Sequence, residues 1–148
     1  MRKAFLSIKY HEDAGNRQVV EALSSAIEQA GWKTVCIARD IERWGDVHFA
    51  PRELMGLTFK EIEASDLVAI ELSEKGVGLG IEAGYAHART KPIVTIARKG
   101  SDISATLQGI SEDVLLYGNM GEVAAFFRKQ RAMRSTGSRL SGSTTCTR

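Results

Sequence analysis

Five short apolar segments recur along the chain, and each is nearly continuous rather than alternating between apolar and polar residues. Uninterrupted apolar runs of this length are typical of strands that are buried on both faces, as in a parallel sheet. The pattern therefore predicts about five parallel strands. The segments are Ala4–Ile8, Thr34–Ala38, Leu67–Leu72, Pro92–Ala97 and Val114–Tyr117.

Apolar positions with helical spacing separate these segments. Gly31 follows the first helical pattern and is typical of a helix C-terminus, whereas Pro51 is typical of the first residue of a helix. Alternating strands and helices predict a three-layer α/β domain with right-handed crossovers. The helical patterns are Val19 to Ile27, Leu54 to Ile62, about Gly80 to Arg89, and Val123 to Phe127.

Composition restricts the class of protein. The chain has 148 residues, of which 43% are hydrophobic and 26% charged, which is typical of one globular domain. No apolar run approaches the ~20 residues of a membrane helix, and the N-terminus lacks a secretory signal, so we expect a cytoplasmic protein. Residues 135–148 are nearly free of apolar side chains and are expected to be a disordered tail or a cloning remnant after a domain of residues 1–134.

Charge and cysteine content argue against several functions. The tail carries two of the 20 basic residues and no acid, so residues 1–134 hold 18 basic and 18 acidic groups. A neutral domain gives no electrostatic reason to expect binding to a nucleic-acid polymer or a membrane surface. Cys36 lies in an apolar run and is predicted to be buried. The cysteines and histidines lack the spacing of a disulfide framework or a metal site, so we expect no metal.

Ligands of an open α/β sheet bind beyond the carboxyl ends of the strands, where the strand order reverses. With the order 2-1-3-4-5, the segments after the first and third strands face each other there. Glycines allow a close approach of backbone to ligand, and a helix that begins nearby favours an anion. A structural tight turn is the alternative. The candidate binding residues of these segments are Ser7, Ile8, Lys9, Tyr10, Lys75, Gly76, Gly78 and Gly80.

Three carboxyl groups near these segments are candidate catalytic groups. Glu82 falls in the predicted first turn of the third helix, where the helix dipole favours its ionised form. An ionised carboxylate in a sugar-sized crevice can attack an anomeric carbon, although an ordinary first-turn acid is the alternative. Glu71, at the end of an apolar strand, must reach solvent or a partner. Asp66 is either a further acid or a turn residue.

The segment Gly76–Ala86 resembles the nucleoside 2-deoxyribosyltransferase superfamily, which includes 2′-deoxynucleoside 5′-phosphate N-hydrolases and pyrimidine-nucleotide N-glycosidases. Weaker similarity covers Asp66–Leu72, Lys91–Val94 and Ser104–Gly109. The resemblance implies a flavodoxin-like fold, a homodimer or larger homo-oligomer with shared sites, and no metal or organic cofactor. It also implies that Glu82 attacks C1′ and forms a glycosyl-enzyme intermediate.

The resemblance assigns further residues and shows two departures. Ser104 corresponds to a serine that reaches the 5′-phosphate bound by the neighbouring subunit. Thr58 stands where the superfamily usually has an aspartate that assists the leaving base. Either another acid substitutes for it, with Glu61 or Glu71 as the nearest candidates, or activity is low, or the base is a better leaving group. Gly76, with Lys75 beside it, stands where the transferases have an acid for the 5′-hydroxyl, which favours a substrate with a 5′-phosphate.

Three aromatic side chains have open roles. Tyr10 and Trp44 are candidates for stacking on a base, with packing as the alternative for each. Tyr85 lies three residues after Glu82 and is a candidate to orient that carboxylate by a hydrogen bond, with packing again as the alternative.

Three functions are compatible with the sequence. The first is cleavage of the N-glycosidic bond of a nucleoside or deoxynucleoside 5′-monophosphate through Glu82. The second is base exchange between deoxynucleosides, and the third is nucleotide binding or sensing without turnover. Each takes a small-molecule nucleotide or nucleoside as its partner. A flavin carrier is disfavoured because the segment after the first strand lacks the Ser, Thr and Gly cluster that a flavin phosphate requires.

Overall fold

The computed structural model describes residues 1–137, which form a three-layer α/β domain around one five-stranded parallel sheet. The strand order is β2-β1-β3-β4-β5, so the order reverses between β1 and β3 as predicted. The strands are β1 (Lys3–Ile8), β2 (Lys33–Val35), β3 (Leu67–Glu71), β4 (Ile93–Arg98) and β5 (Asp113–Tyr117).

Helices cover both faces of the sheet. One apolar cluster packs α1 and α5 against one face, and a second packs α2, α3 and α4 against the other. Gly31, with φ +91°, follows the end of α1, and Pro51 occupies the first turn of α2, as predicted. The helices are α1 (Arg17–Gln29), α2 (Pro51–Glu63), α3 (Val77–Ala88), α4 (Ala105–Ile110) and α5 (Met120–Gly137).

Side chains of β1 alternate between the two faces. Leu6 packs in the cluster beneath α1 and α5, whereas Phe5 packs in the cluster beneath α2 and α3. Because successive side chains of a strand point to opposite faces, Ser7 lies on the α2 and α3 face and Ile8 on the α1 and α5 face. The carboxyl end of β1 therefore presents one residue to each side of the sheet.

Several predicted boundaries are wrong. β2 ends at Val35 rather than Ala38, because the chain turns into a π-helical segment, Ile37–Ile41. The Asp40 carboxylate accepts a hydrogen bond of 2.9 Å from the Cys36 amide and fixes this turn, and Cys36 is buried. α4 was not predicted because it is only six residues long.

The C-terminal helix also differs from its prediction. α5 continues through Gly137, three residues beyond the predicted end of the domain at residue 134. Residues 138–148 of the predicted tail lie outside the described residues. Within residues 1–137, none of the helices combines the length and apolar character that a membrane crossing requires.

Candidate active site

Glu82 lies on α3, beside the point where the strand order reverses. Its carboxylate accepts a hydrogen bond from the Ser7 hydroxyl at the end of β1. Both residues lie on the α2 and α3 face, so the alternation along β1 brings Ser7 to this carboxylate. Ser7 was predicted as a binding residue; in the structure it is the hydrogen-bond partner of Glu82.

Burial of Glu82 raises the pKa of its carboxyl group to about 7, and the hydrogen bond from Ser7 opposes this shift only in part. We expected the helix dipole to favour the ionised form, and this expectation was wrong. α3 begins at Val77 rather than about Gly80, which moves Glu82 beyond the first turn. The dipole effect fades within that turn, and desolvation outweighs it here.

Two adjoining cavities meet at Glu82, one of about 200 Å³ and one of about 140 Å³. Ile8 and Glu82 border both of them. The larger cavity is also bordered by Phe5, Leu6, Ser7, Tyr10, Cys36, Ile37, Ala38, Glu42, Leu54, Met55 and Thr58. The smaller cavity is also bordered by Lys9, Gly76, Gly78 and Leu79.

The two cavities differ in chemistry. The larger one has mainly apolar and aromatic walls, which suit a flat heterocycle. The smaller one combines the Lys9 side chain with the N-terminus of α3, where amide groups lack partners within the helix. A Cβ atom built on Gly78 would meet no atom within 4 Å, so this wall is open backbone surface. A cation next to free amide groups suits an anion.

A third cavity, the outer cavity, has a volume of about 450 Å³ and is bordered by Trp44. It shares Tyr10 and Glu42 with the 200 Å³ cavity at Glu82, which is the larger of the two that meet there. Trp44 packs against Tyr10 with ring centroids 5.5 Å apart, and the Arg17 guanidinium lies 4.6 Å from the centroid of the Trp44 ring. Trp44 therefore packs within the chain and also borders an open cavity. Tyr10 borders both this cavity and the larger one at Glu82.

Glu71 does not join Glu82. It ends β3 opposite Ile8 in the register, on the α1 and α5 face of the sheet. Its carboxylate accepts hydrogen bonds from the backbone amide and hydroxyl of Ser73 and, at 3.2 Å, from the Tyr117 hydroxyl. The Glu71 carboxylate is thus paired within the fold, and the cavity of about 30 Å³ that it borders is too small for a substrate. Glu71 was predicted near the site because the sequence pattern does not assign it to a face.

Asp66 and Tyr85 also have partners other than Glu82. Asp66 accepts a hydrogen bond of 2.8 Å from the Lys3 amide, at the amino end of the sheet, which is the edge remote from the site. Tyr85 stacks on Phe59, with ring centroids 4.1 Å apart, and donates a hydrogen bond to Glu63 of α2. Its contacts join α2 to α3, which matches the packing alternative.

Three further predicted binding residues have defined contacts. Thr58 is buried, borders the larger cavity and donates a hydrogen bond of 2.8 Å to the Leu54 carbonyl. Lys75 forms an exposed ion pair of 2.8 Å with Asp102 and borders neither cavity at Glu82. Ser104 precedes α4, where its hydroxyl lies 2.7 Å from that of Thr106, and it too borders neither cavity within one chain.

The sequence pattern did not single out Glu42, which borders the larger cavity. Trp44 was noted in the same loop because of its ring, whereas an acid in a polar loop gave no distinguishing signal. Glu61, named as a substitute acid, instead pairs with Lys3 at 2.5 Å. Within residues 1–137, no group of three or more His, Cys, Asp or Glu side chains is arranged to hold a metal ion.

Comparison with known proteins supports the resemblance seen in the sequence. No protein-family model matches the chain. The chain is 27% identical over 115 residues to the protein named Putative 2′-deoxynucleoside 5′-phosphate N-hydrolase 1 of Thermofilum pendens, a match that covers 74% of this chain and 78% of that protein.

Solved structures share the fold. The CMP N-glycosidase BcmB of Clostridium botulinum superimposes with a TM-score of 0.59 and 20% identity, over 88% of this chain and 99% of that one. The 2-deoxyribosyltransferase of Bacillus psychrosaccharolyticus superimposes with a TM-score of 0.63 and 16% identity, over 82% of this chain and 90% of that one. The fold is thus that of known deoxyribosyltransferases and N-glycosidases.

Proposed function

We propose, starting from the supported resemblance to the nucleoside 2-deoxyribosyltransferase superfamily, that this chain is an enzyme that cleaves the N-glycosidic bond of a nucleoside or deoxynucleoside 5′-monophosphate. One observation carries the proposal. The Glu82 carboxyl group lies where an apolar cavity meets a cavity with a cation and free amide groups. A nucleotide that places its base in the first and its phosphate in the second brings its C1′ atom to Glu82.

The geometry supports a two-step reaction. A Glu82 carboxylate oxygen attacks C1′ and forms an ester, while the electron pair of the C1′–N bond leaves with the base, which takes up a proton. Water then attacks C1′ of the ester, gives up a proton and releases the sugar phosphate and the free carboxylate. The hydrogen bond from Ser7 fixes the position of Glu82 before the first step.

A 5′-phosphate suits the smaller cavity better than a free hydroxyl group does. Lys9 supplies a positive charge there, and no carboxylate other than that of Glu82 borders this cavity within residues 1–137. Charge-assisted hydrogen bonds from a lysine and from backbone amides stabilise a phosphate. Lys9, rather than Lys75, is therefore the cation that we assign to the phosphate, because Lys75 is paired with Asp102.

We propose in addition that the protein is a homo-oligomer. α3 is apolar on almost all sides, yet Val77 is 83% exposed and Ile81 48% exposed. Val114 and Leu116 of β5 are also exposed, on the same face of the sheet. A second copy on this face would cover these side chains and bring in its own Ser104. Light scattering on the wild type and on Ile81→Asp tests this, with a monomeric wild type as the contrary result.

Base release from a panel of ribonucleoside and deoxyribonucleoside monophosphates tests the function. We expect the wild type to release one or more bases and Glu82→Gln to release none at a measurable rate. Glu53→Gln, an exposed acid in the first turn of α2, is the matched control and should retain wild-type rates. Equal rates for wild type and Glu82→Gln would exclude Glu82 from the mechanism.

The fate of the intermediate separates hydrolysis from transfer. With one deoxynucleotide and a second free base, a hydrolase yields sugar phosphate and the released base, whereas a transferase yields the released base and the exchanged nucleotide. Nucleotide binding by calorimetry without any product after long incubation would instead indicate a sensing protein. The same two proteins, wild type and Glu82→Gln, serve for all of these measurements.

A further inference from the structure

The larger cavity at Glu82 contains a second carboxyl group, that of Glu42, to which nothing above assigns a role. Glu42 borders both this cavity and the outer cavity, as Tyr10 does. Leu54, Met55 and the other apolar residues of the wall offer no hydrogen bond to a base. A polar side chain in such a wall determines which heterocycle the cavity accepts.

The backbone holds Glu42 in place. Its amide donates a hydrogen bond of 2.9 Å to the Ile37 carbonyl, and its carbonyl accepts hydrogen bonds of 3.0 Å from the amides of Gly45 and Val47. The next residues, Arg43 and Trp44, have φ values of 48° and 59°, in the left-handed region. Trp44 packs on Tyr10 and so connects the loop to the segment that follows β1. Glu42 is thus attached to a fixed part of the wall.

The Glu42 side chain is available to a ligand. It is half-buried, and the structure records no hydrogen bond or ion pair of its carboxylate with any of residues 1–137. Burial and the charge of Glu12 raise the pKa of this carboxyl group, while His48 lowers it. The Tyr10 hydroxyl, on the same wall, is buried and likewise has no hydrogen-bond partner in that part of the chain.

Thr58 is less suited to this role than Glu42. Its hydroxyl already donates to the Leu54 carbonyl within α2, and a hydroxyl group carries no charge. Glu71 and Glu61, the two acids that the sequence suggested as substitutes, are paired elsewhere in the fold. Glu42, by contrast, borders the same cavity as Glu82.

We propose that Glu42 selects the base, by accepting hydrogen bonds from a heterocycle that carries an exocyclic amino group. An amino group donates hydrogen bonds to a carboxylate, whereas the carbonyl oxygen of the corresponding oxo base is repelled by it. Cytosine or adenine is therefore preferred over uracil or hypoxanthine, which have nearly the same shape. This proposal rests on the proposed function, because it places the base in the cavity that Glu82 borders.

Two pairs of nucleotides of matched shape provide the test: cytidine with uridine monophosphate, and adenosine with inosine monophosphate. Binding is measured by calorimetry on the Glu82→Gln form of the 148-residue chain, so that no nucleotide is consumed. We expect the amino-bearing nucleotide of at least one pair to bind about 10-fold more tightly than its oxo partner, as for one hydrogen bond to a charged group. Addition of Glu42→Gln should reduce the ratio to within about 3-fold, because an amide pairs with either edge.

Two further variants complete the experiment. Glu12 borders the outer cavity and not the cavity at Glu82, so Glu12→Gln should leave the ratio of the two binding constants within each pair unchanged. Glu42→Asp keeps the charge and should preserve the direction of the preference, which excludes an effect of misfolding. Equal binding within both pairs, or a preference that survives Glu42→Gln, would overturn the proposal.

Turnover by the wild type separates this proposal from the proposed function. Base release without any amino preference refutes the role of Glu42 and leaves the glycosidase intact. An amino preference in binding that depends on Glu42, without base release, supports the role of Glu42 and refutes the glycosidase. If none of the four nucleotides binds, the role of Glu42 is refuted, and base release from the wider panel of monophosphates decides separately on the glycosidase.

Discussion

Glu71, which is buried, and Glu82, which is half-buried, are two carboxyl groups at the same edge of the sheet, and their surroundings are opposite. Glu71 lies beside Ile8 and Glu82 beside Ser7, so consecutive residues of β1 separate them onto different faces. Glu71 accepts hydrogen bonds from Ser73 and Tyr117, whereas Glu82 accepts one from Ser7 and otherwise faces open cavities. Burial raises the pKa of both.

This difference shows that a raised pKa is not sufficient to identify a reactive group. A buried carboxylate that is enclosed by donors stabilises the fold and has no room for a substrate. A buried carboxylate with one donor and open space in front of it can meet a carbon atom. The predictions that follow test this contrast between Glu71 and Glu82.

The largest expected effect is on catalysis. Glu82→Gln removes the nucleophile and should lower kcat by about 10³-fold or more. Glu71→Gln keeps an acceptor for Ser73 and should change kcat by less than about 10-fold, because Glu71 faces the other side of the sheet. Steady-state assays with the nucleotide that the wild type prefers provide the measurement, and comparable losses in the two variants would contradict the contrast.

The next effect is on the pH dependence of stability. The folded pKa of Glu82, about 7, is above its unfolded value of 4.5, so the folded chain retains this proton between these two pH values while the unfolded chain has lost it. The free energy of unfolding should therefore fall as pH rises from about 4.5 to about 7, by on the order of 2 kcal/mol after allowance for partial exposure. Urea unfolding at several pH values should show this fall in the wild type and a smaller one in Glu82→Gln.

A smaller effect concerns the hydrogen bond from Ser7. Because Glu82 must be ionised to attack, kcat/KM of the wild type should rise with pH to a plateau, with a midpoint near pH 7. Ser7→Ala removes the bond that lowers this pKa, so the midpoint should move to higher pH and kcat/KM below pH 7 should fall about 10-fold. Ser73→Ala, which affects Glu71 instead, should leave the midpoint in place; a shift there would count against our assignment.

The smallest effect is on the Glu71 side. Tyr117→Phe removes the hydroxyl that donates to Glu71 at 3.2 Å and should reduce the free energy of unfolding by about 1 kcal/mol. The pH midpoint of kcat/KM should stay unchanged. Thermal unfolding together with the pH profile checks both statements, and a shifted midpoint without loss of stability would show that Glu71 is coupled to the reaction.

Much of the fold follows from local pattern. The five parallel strands and the helix boundaries marked by Gly31 and Pro51 were predicted correctly, because continuous apolar runs and backbone-restricting residues act locally. The start of α3 was placed too late, because glycines were interpreted as loop residues. Gly78 and Gly80 in fact lie within the helix.

The candidate site was predicted only in part, for a different reason. Glu82 and Ser7 follow from the position of the switch point between β1 and β3. The partners of Tyr85 and Glu71 depend on which face each side chain occupies and on what α2 and β5 present there, which spacing along one chain does not encode. Glu42, Tyr10 and Thr58 border the same cavity only because of the tertiary fold, since all three are far apart in sequence.

The loop that carries Glu42 also shows where this protein could be made more robust. Arg43 holds a left-handed backbone angle, φ 48°, that costs a residue with a side chain roughly 1–2 kcal/mol, and it borders none of the cavities near Glu82. Glycine adopts this angle freely and loses only about 0.5–1 kcal/mol through its greater freedom in the unfolded chain. An engineer seeking a heat-resistant catalyst would therefore begin at position 43, one peptide bond from the residue that we assign to substrate choice.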